Sequence, residues 1–231
     1  MLVLHNHVRM HVNYPPNAKS NQHTMLEKPS KKVLVINNPT LSGSDYLKLH
    51  EHLVAAKTTT GENKSEAMVH YTMLNWQRTK RVLKMMKTTG IEDSIKNSIY
   101  KAPAQKWILI SEPWCGDASQ SVPVIIELAK LNPAIKLDIL LRDDNLEVMD
   151  QFLTNGGRSI PKLIRLNPET NEVISDWGPR PKAAQDLYLQ MKEENLPYEE
   201  MSIQLQNWYN KNSGRDLRIE IAALASLWDL V

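Results

Sequence analysis

From residue 106 to residue 178 the hydrophobic pattern switches repeatedly between the signature of a buried strand and that of a helix. Residues 106–111 (KWILIS) form a continuous apolar run, which suits a strand covered on both faces. After the turn Trp114-Cys115-Gly116-Asp117, the residues Ala118, Val122, Ile125, Ile126 and Ala129 fall on one helical stripe. Residues 135–142 read as a second strand. Asp144 and Glu147 have the spacing of a capping box and predict a helix burying Leu146, Met149 and Phe152. Residues 161–167 and 172–178 read as two strands joined by a polar turn, and residues 182–194 as a helix with Ala184, Leu187 and Met191 inward. The order is βαβαββα, an α/β pattern.

The flanks differ. Residues 1–43 mix His, Asn, Pro, Ser and Lys without a sustained period, apart from the short apolar run 33–36, and are expected to form a largely flexible N-terminal arm. His5, His7 and His11 have no framework that would fix metal geometry, so no metal site is expected there. Met25 is a candidate alternative start. Residues 44–103 read as a helical extension: Tyr46, Leu49 and Leu53 share one face, then a helix capped by Ser65 runs to about Lys87 with Tyr71, Leu74, Val82 and Met85 near one face. Arg78, Lys80, Arg81, Lys84 and Lys87 beside Trp76 are expected to form a solvated face rather than a nucleic-acid surface. In residues 197–231 one amphipathic helix carries Met201, Leu205, Trp208 and Tyr209 up to Gly214, and another carries Leu217, Ile221, Leu224 and Trp228. Both are expected to pack on the core, because an exposed stripe of that size invites aggregation.

A formal net charge of +2 gives no whole-molecule attraction to nucleic acid. No stretch reaches the length of a membrane span, so no membrane association is expected. Cys115 is the single cysteine, so no internal disulfide forms, and a reducing compartment, the cytoplasm, is the expected setting.

That cysteine stands where a strand delivers it to a helix start, a place where unpaired N–H groups and the helix dipole favour an anion. Thiols so placed have pKa values below the free value of about 8.5. Trp114-Cys115-Gly116 resembles the W-C-G of the thioredoxin family. Pro123 matches the proline that kinks that family's active-site helix, Ser159-Ile160-Pro161-Lys162 is similar to its cis-proline loop, and Gly178 matches the glycine after its last strand. The similarity covers residues 104–196 and is greatest with a bacterial subgroup that has a W-C-G-D turn and helical extensions. It implies a thioredoxin-like fold with a central four-stranded mixed sheet, Cys115 as nucleophile, the N–H groups of Gly116 and Asp117 as thiolate stabilisers, Trp114 as a contact surface, and Pro161 as the element that aligns an incoming chain.

The departures are as informative. Ala118 replaces the family's second thiol, so a mixed disulfide on Cys115 cannot be resolved internally. Asp117 replaces a proline, and at roughly 8 Å and an effective dielectric of about 20 its charge opposes the thiolate by about 2 kcal/mol, so only modest acidification is expected. Leu109 and Ser111 stand where thioredoxins carry a buried acid and often a Trp. Glu112 is not the threonine of peroxiredoxins, and C-G-D-A is not the C-G-F-S of single-cysteine glutaredoxins. Arg158 and Lys162 flank the proline loop and are candidates, with Ile160 and Pro161, for substrate contact, including a glutathione carboxylate. The expected activity is single-cysteine thiol–disulfide exchange with a disulfide-bearing or glutathionylated protein, or with a small thiol. Glutathione or another low-molecular-weight thiol is the co-substrate in that scheme, and no other cofactor is called for. The alternative is a non-catalytic module whose groove beside Trp114 and Ile160-Pro161 binds peptide by backbone pairing.

Overall fold

A computed structural model describes residues 32–227. The expectations for His5, His7, His11, Met25 and Trp228 lie outside the described residues. In chain order the elements are α1 (Gly43–Ala55), α2 (Glu66–Thr89), α3 (Asp93–Tyr100), β1 (Gln105–Ser111), α4 (Gly116–Ala129), β2 (Ile135–Leu141), α5 (Leu146–Met149), β3 (Lys162–Leu166), β4 (Val173–Trp177), α6 (Lys182–Glu193), α7 (Tyr198–Asn212) and α8 (Arg215–Ser226).

The strands form one mixed sheet in the order β2-β1-β3-β4. β1 runs parallel to β2, with Leu109 opposite Ile139, and antiparallel to β3, with Leu109 opposite Leu163. β4 closes the other side, antiparallel to β3. Trp107, Ile108, Leu109 and Ile110 are all 0% exposed, which is why the central strand is apolar at every position rather than at alternate ones. Its side chains still alternate between faces: Trp107 and Leu109 join α4, α3 and α8 in one core, while Ile108 and Ile110 join Met149, Phe152, Ile164 and Leu166 in the other. The fold is thioredoxin-like, with helices added at both ends.

Several expectations are corrected. The flexible arm does not extend to residue 43. Val173 N–H donates to the Lys32 carbonyl (2.7 Å), Leu34 N–H donates to Asn171 (3.0 Å), and Leu41 exchanges two backbone hydrogen bonds with Ile139 (2.9 and 2.8 Å), so residues 32–41 are pinned from the β4 end of the sheet to the β2 edge. Leu34 enters the second core. In α1 the residue buried beside Tyr46 is His50. In α2 the buried face is rotated from the apolar stripe: Thr72, Asn75, Trp76, Thr79, Val82 and Met86 point inward, while Tyr71 and Leu74 are exposed. Polar groups on the facing surfaces explain the rotation, because Thr72 meets Thr59 (2.6 Å), Asn75 donates to the Pro113 carbonyl (3.3 Å), and Thr79 donates to Ser119 O (3.4 Å). The capping box at Asp144 does not form. Asn145 occupies the cap position of a single four-residue turn, and Leu146 is exposed. Among the described residues no helix is long and apolar enough to cross a membrane.

α4 is buried along nearly its whole length between the sheet and α2 and contains Pro123. α8 packs on α3 and α4, anchored by buried Arg218, which donates to Glu92 (2.9 and 2.8 Å) and to Ser213 O (2.9 Å). α7 packs on α6 through Leu205 and Met191.

Gly178 fixes the junction between β4 and the proline loop. Its φ is +119°, and a Cβ there would collide with the Pro161 carbonyl oxygen. Gly178→Ala is expected to cost at least about 2 kcal/mol, or about 4–8 °C in a chain of this size. A thermal unfolding midpoint within a degree of native would contradict this.

Candidate functional site

Cys115 is the residue immediately before α4, in extended conformation (φ −82°, ψ 124°). A side chain at that position is approached by the N–H groups two and three residues on, and here those of Asp117 and Ala118 favour the thiolate, although neither makes a capping hydrogen bond to the sulfur. The expected pair, Gly116 and Asp117, is therefore shifted by one residue. The thiol also donates to the Ile160 carbonyl (Sγ–O 3.3 Å), and the Ile160–Pro161 peptide is cis.

The acidification expected from the helix start is overturned. The half-buried sulfur packs against both cores, and its pKa is pushed up to about 12, first by burial and then by Asp117, against the opposing effects of the two N–H groups and Arg180. The hydrogen bond to Ile160 also requires the protonated form. At rest, Cys115 is a thiol.

Asp117 is not a solvated helix-start acid. It pairs with Arg180 (2.7 Å), both side chains being 14% exposed, and accepts from the Tyr209 hydroxyl (2.8 Å). These partners come from the β4–α6 connection and from α7. Arg180 lies over the Tyr188 ring (4.1 Å). The C-terminal helices are thereby tied to the turn that carries the cysteine.

Trp114, Cys115, Gly116 and Asp117 line one cleft of about 320 Å³. Its walls are α2, with Tyr71 and Arg78, and α7, with Tyr198 and Tyr209. Arg142 stacks on the Trp114 ring (4.6 Å). Ala118 lies behind the cleft, fully buried. The remaining candidates are elsewhere. Pro161 is buried and does not line the cleft. Lys162 is only 3% exposed, its ammonium held by Asp176 (3.0 Å), and Arg158 is gripped by both carboxylate oxygens of Asp150 (2.6 and 2.8 Å). Neither lines the cleft as the receptor of a substrate carboxylate. A second cavity of about 220 Å³, between α2 and the α7–α8 turn, does not include Cys115 in its lining.

Sequence reading placed Arg78 on a solvated face, whereas it lines the cleft, and it missed Arg180, Tyr188 and Tyr198, whose approach to Cys115 depends on how α2, α6 and α7 pack around the turn. It also missed Glu112, three residues before the cysteine. That carboxyl is 0% exposed, accepts from the Thr60 hydroxyl and from Asp143 N–H (2.9 Å), and is pushed up to about 7 by burial.

A family model described as thioredoxin matches residues 61–195, more than half of the chain. The match begins before α2, so α2 and α3 fall within it, whereas the motif resemblance began at residue 104. Among solved structures, the chain is similar to a crystal structure of an HIV epitope scaffold at 15% identity, covering 76% of this chain and 95% of that chain with a TM-score of 0.50. It is also similar to a protein of unknown function from Pseudomonas aeruginosa at 17% identity, covering 79% and 99% of the two chains with a TM-score of 0.47. Identities this low concern the fold alone. No curated protein matches the chain.

Proposed function

The chain belongs to the thioredoxin family, and from that premise we propose that it performs single-cysteine thiol–disulfide exchange through Cys115 inside the cleft. The observation that carries the reading is the position of the sulfur: it lies at the start of α4 and on the wall of a cleft closed by α2 and α7. A Cys115 thiolate attacks one sulfur of a bound disulfide, forming a Cys115 mixed disulfide and releasing the other sulfur as a thiolate. With Ala118 in place of a second thiol, an external thiolate such as glutathione must attack the mixed disulfide and free Cys115. The disulfide belongs to a small molecule or to a glutathionylated side chain that can enter the cleft. The W-C-G-D turn and helical additions support the bacterial subgroup, and a lone cysteine suits the cytoplasm.

A second reading, a non-catalytic binding module, is favoured by the thiol's rise to about 12. It uses the cleft rather than the proline loop, because Pro161 is buried. Intact-mass spectrometry after incubation with a small disulfide separates the two. Exchange predicts a one-to-one adduct on the native protein that glutathione removes and that Cys115→Ser abolishes. Ligand-induced stabilisation without any adduct would establish the binding module instead.

A further inference from the structure

Arg78 is the cationic group in the cleft that no carboxylate pairs with among the described residues. It projects from α2, and its guanidinium stands 3.6 Å from where a side chain on Gly116 would begin, beside Cys115. Its one protein acceptor is the neutral Asn75 Oδ1 (2.9 Å), and among the described residues no carboxylate forms an ion pair with it. The other cleft arginine is satisfied, because Arg180 holds Asp117 at 2.7 Å. Burial is also the main influence lowering the Arg78 pKa, with Arg81 second, and the nearby charge of Asp117, already paired with Arg180, opposes them only in part. A guanidinium that is partly withdrawn from water and lacks a counter-ion is costly, and a ligand anion removes that cost.

The rest of the lining limits what can accompany the anion. Trp114, Tyr71, Tyr188 and Tyr198 present aromatic surface, which suits an apolar or planar body more than a strongly hydrated one. At about 320 Å³ the cleft is at the small end of ligand pockets, which run from about 300 to 1,000 Å³, and so holds one small molecule.

We infer that Arg78 is the anion-holding residue of the Cys115 cleft, and that the site selects small organic disulfides or thiols carrying a carboxylate over neutral ones of similar size. This rests on the exchange reading for its chemistry but not for its binding. It places the selecting charge on the N-terminal helix α2 rather than on Arg158 or Lys162 beside the proline loop.

The test uses dithiodipropionate, hydroxyethyl disulfide and cystamine as anionic, neutral and cationic probes. Binding is followed by amide chemical shifts on Cys115→Ser, where no covalent step occurs. The anionic probe is expected to bind about tenfold more tightly than the neutral one, the size of one partly exposed charge-assisted hydrogen bond. That preference should shrink in high salt, collapse in Cys115→Ser/Arg78→Gln, and survive in part in Cys115→Ser/Arg78→Lys, with circular dichroism confirming the fold of each variant. Equal binding of anionic and neutral probes, or a preference that persists in the Arg78→Gln background, would overturn the inference. Adducts on the native protein without charge preference would leave exchange standing and remove the role of Arg78. An Arg78-dependent preference without adducts would do the reverse.

Discussion

Cys115 is expected to react with a small neutral disulfide about 60-fold more slowly than a free thiol at pH 8. With its pKa near 12 against about 8.5 for a free thiol, it supplies roughly 2,000-fold less thiolate. Intrinsic nucleophilicity rises with pKa at a Brønsted slope of about 0.4–0.5, which returns roughly 30-fold. Burial is the larger cause and Asp117 the second. Asp117→Asn keeps an oxygen for the Tyr209 hydroxyl while removing the charge and leaving Arg180 unneutralised near the sulfur. It should lower the thiol pKa by about one unit, worth tenfold in thiolate and about threefold in rate after the same correction. Stopped-flow rates from pH 7 to pH 9.5 check both statements, and a native rate at or above that of a free thiol would refute the first. The deficit also says what the cleft must do for exchange to be useful. Effective concentrations for well-oriented groups reach about 10⁵ M, so a disulfide held against the sulfur gains far more than the resting thiol loses. A substrate that meets Cys115 from solution gains nothing.

The alternation of strand and helix from residue 106 onward was legible because β1, at the centre of the sheet, is covered on both faces and so is apolar along its inner length, and because Ala118, Val122 and Ile125 repeat at helical spacing. The start of α4 at Cys115 was legible for the same reason. The direction of the thiol's pKa was not, since it depends on two cores closing around the sulfur and on Asp117 being held at close range by Arg180 and Tyr209, 63 and 92 residues away in sequence. The buried face of α2 misled because apolar periodicity presumes an apolar neighbour. Thr72, Asn75 and Thr79 face hydrogen-bonding groups on residues 59, 113 and 119, and burial followed the partners rather than the hydropathy. Lys162 illustrates the same limit: a lysine beside the proline loop reads as a candidate for substrate contact, yet as the first residue of β3 it is buried with Asp176 and the Gly178 carbonyl as partners.

The stability of the native protein should be nearly independent of pH between about 4.5 and 6.5 because two buried groups oppose one another there. His50 is 1% exposed, donates from Nε2 to the Thr72 carbonyl (2.9 Å), and is lowered by burial from 6.5 to about 4. Between those values the unfolded chain binds the extra proton, so this group's contribution is present above pH 6.5 and is lost as the pH falls toward 4. Glu112 moves the other way, raised by burial from 4.5 to about 7. Between those values the folded protein binds the extra proton, so its contribution is present below pH 4.5 and is lost as the pH rises through 7. Each shift corresponds to about 3 kcal/mol. The paired carboxylates Asp45, Glu92 and Asp150 are all lowered, so their effects fall below this window. Glu112→Gln keeps the shape of the side chain and an oxygen for Asp143 N–H, with its amide nitrogen donating to the Thr60 hydroxyl oxygen, while removing the titration, which exposes the His50 slope: urea unfolding should show stability falling by about 3 kcal/mol from pH 6.5 to pH 4. His50→Gln should show the opposite slope, with stability lost from pH 4.5 to pH 7, and the double variant should be flat again. If Glu112→Gln follows the native profile across this range, the carboxyl at the junction of Thr60 and Asp143 is ionised in the folded protein at pH 5. The opposition of the two groups would then be disproved.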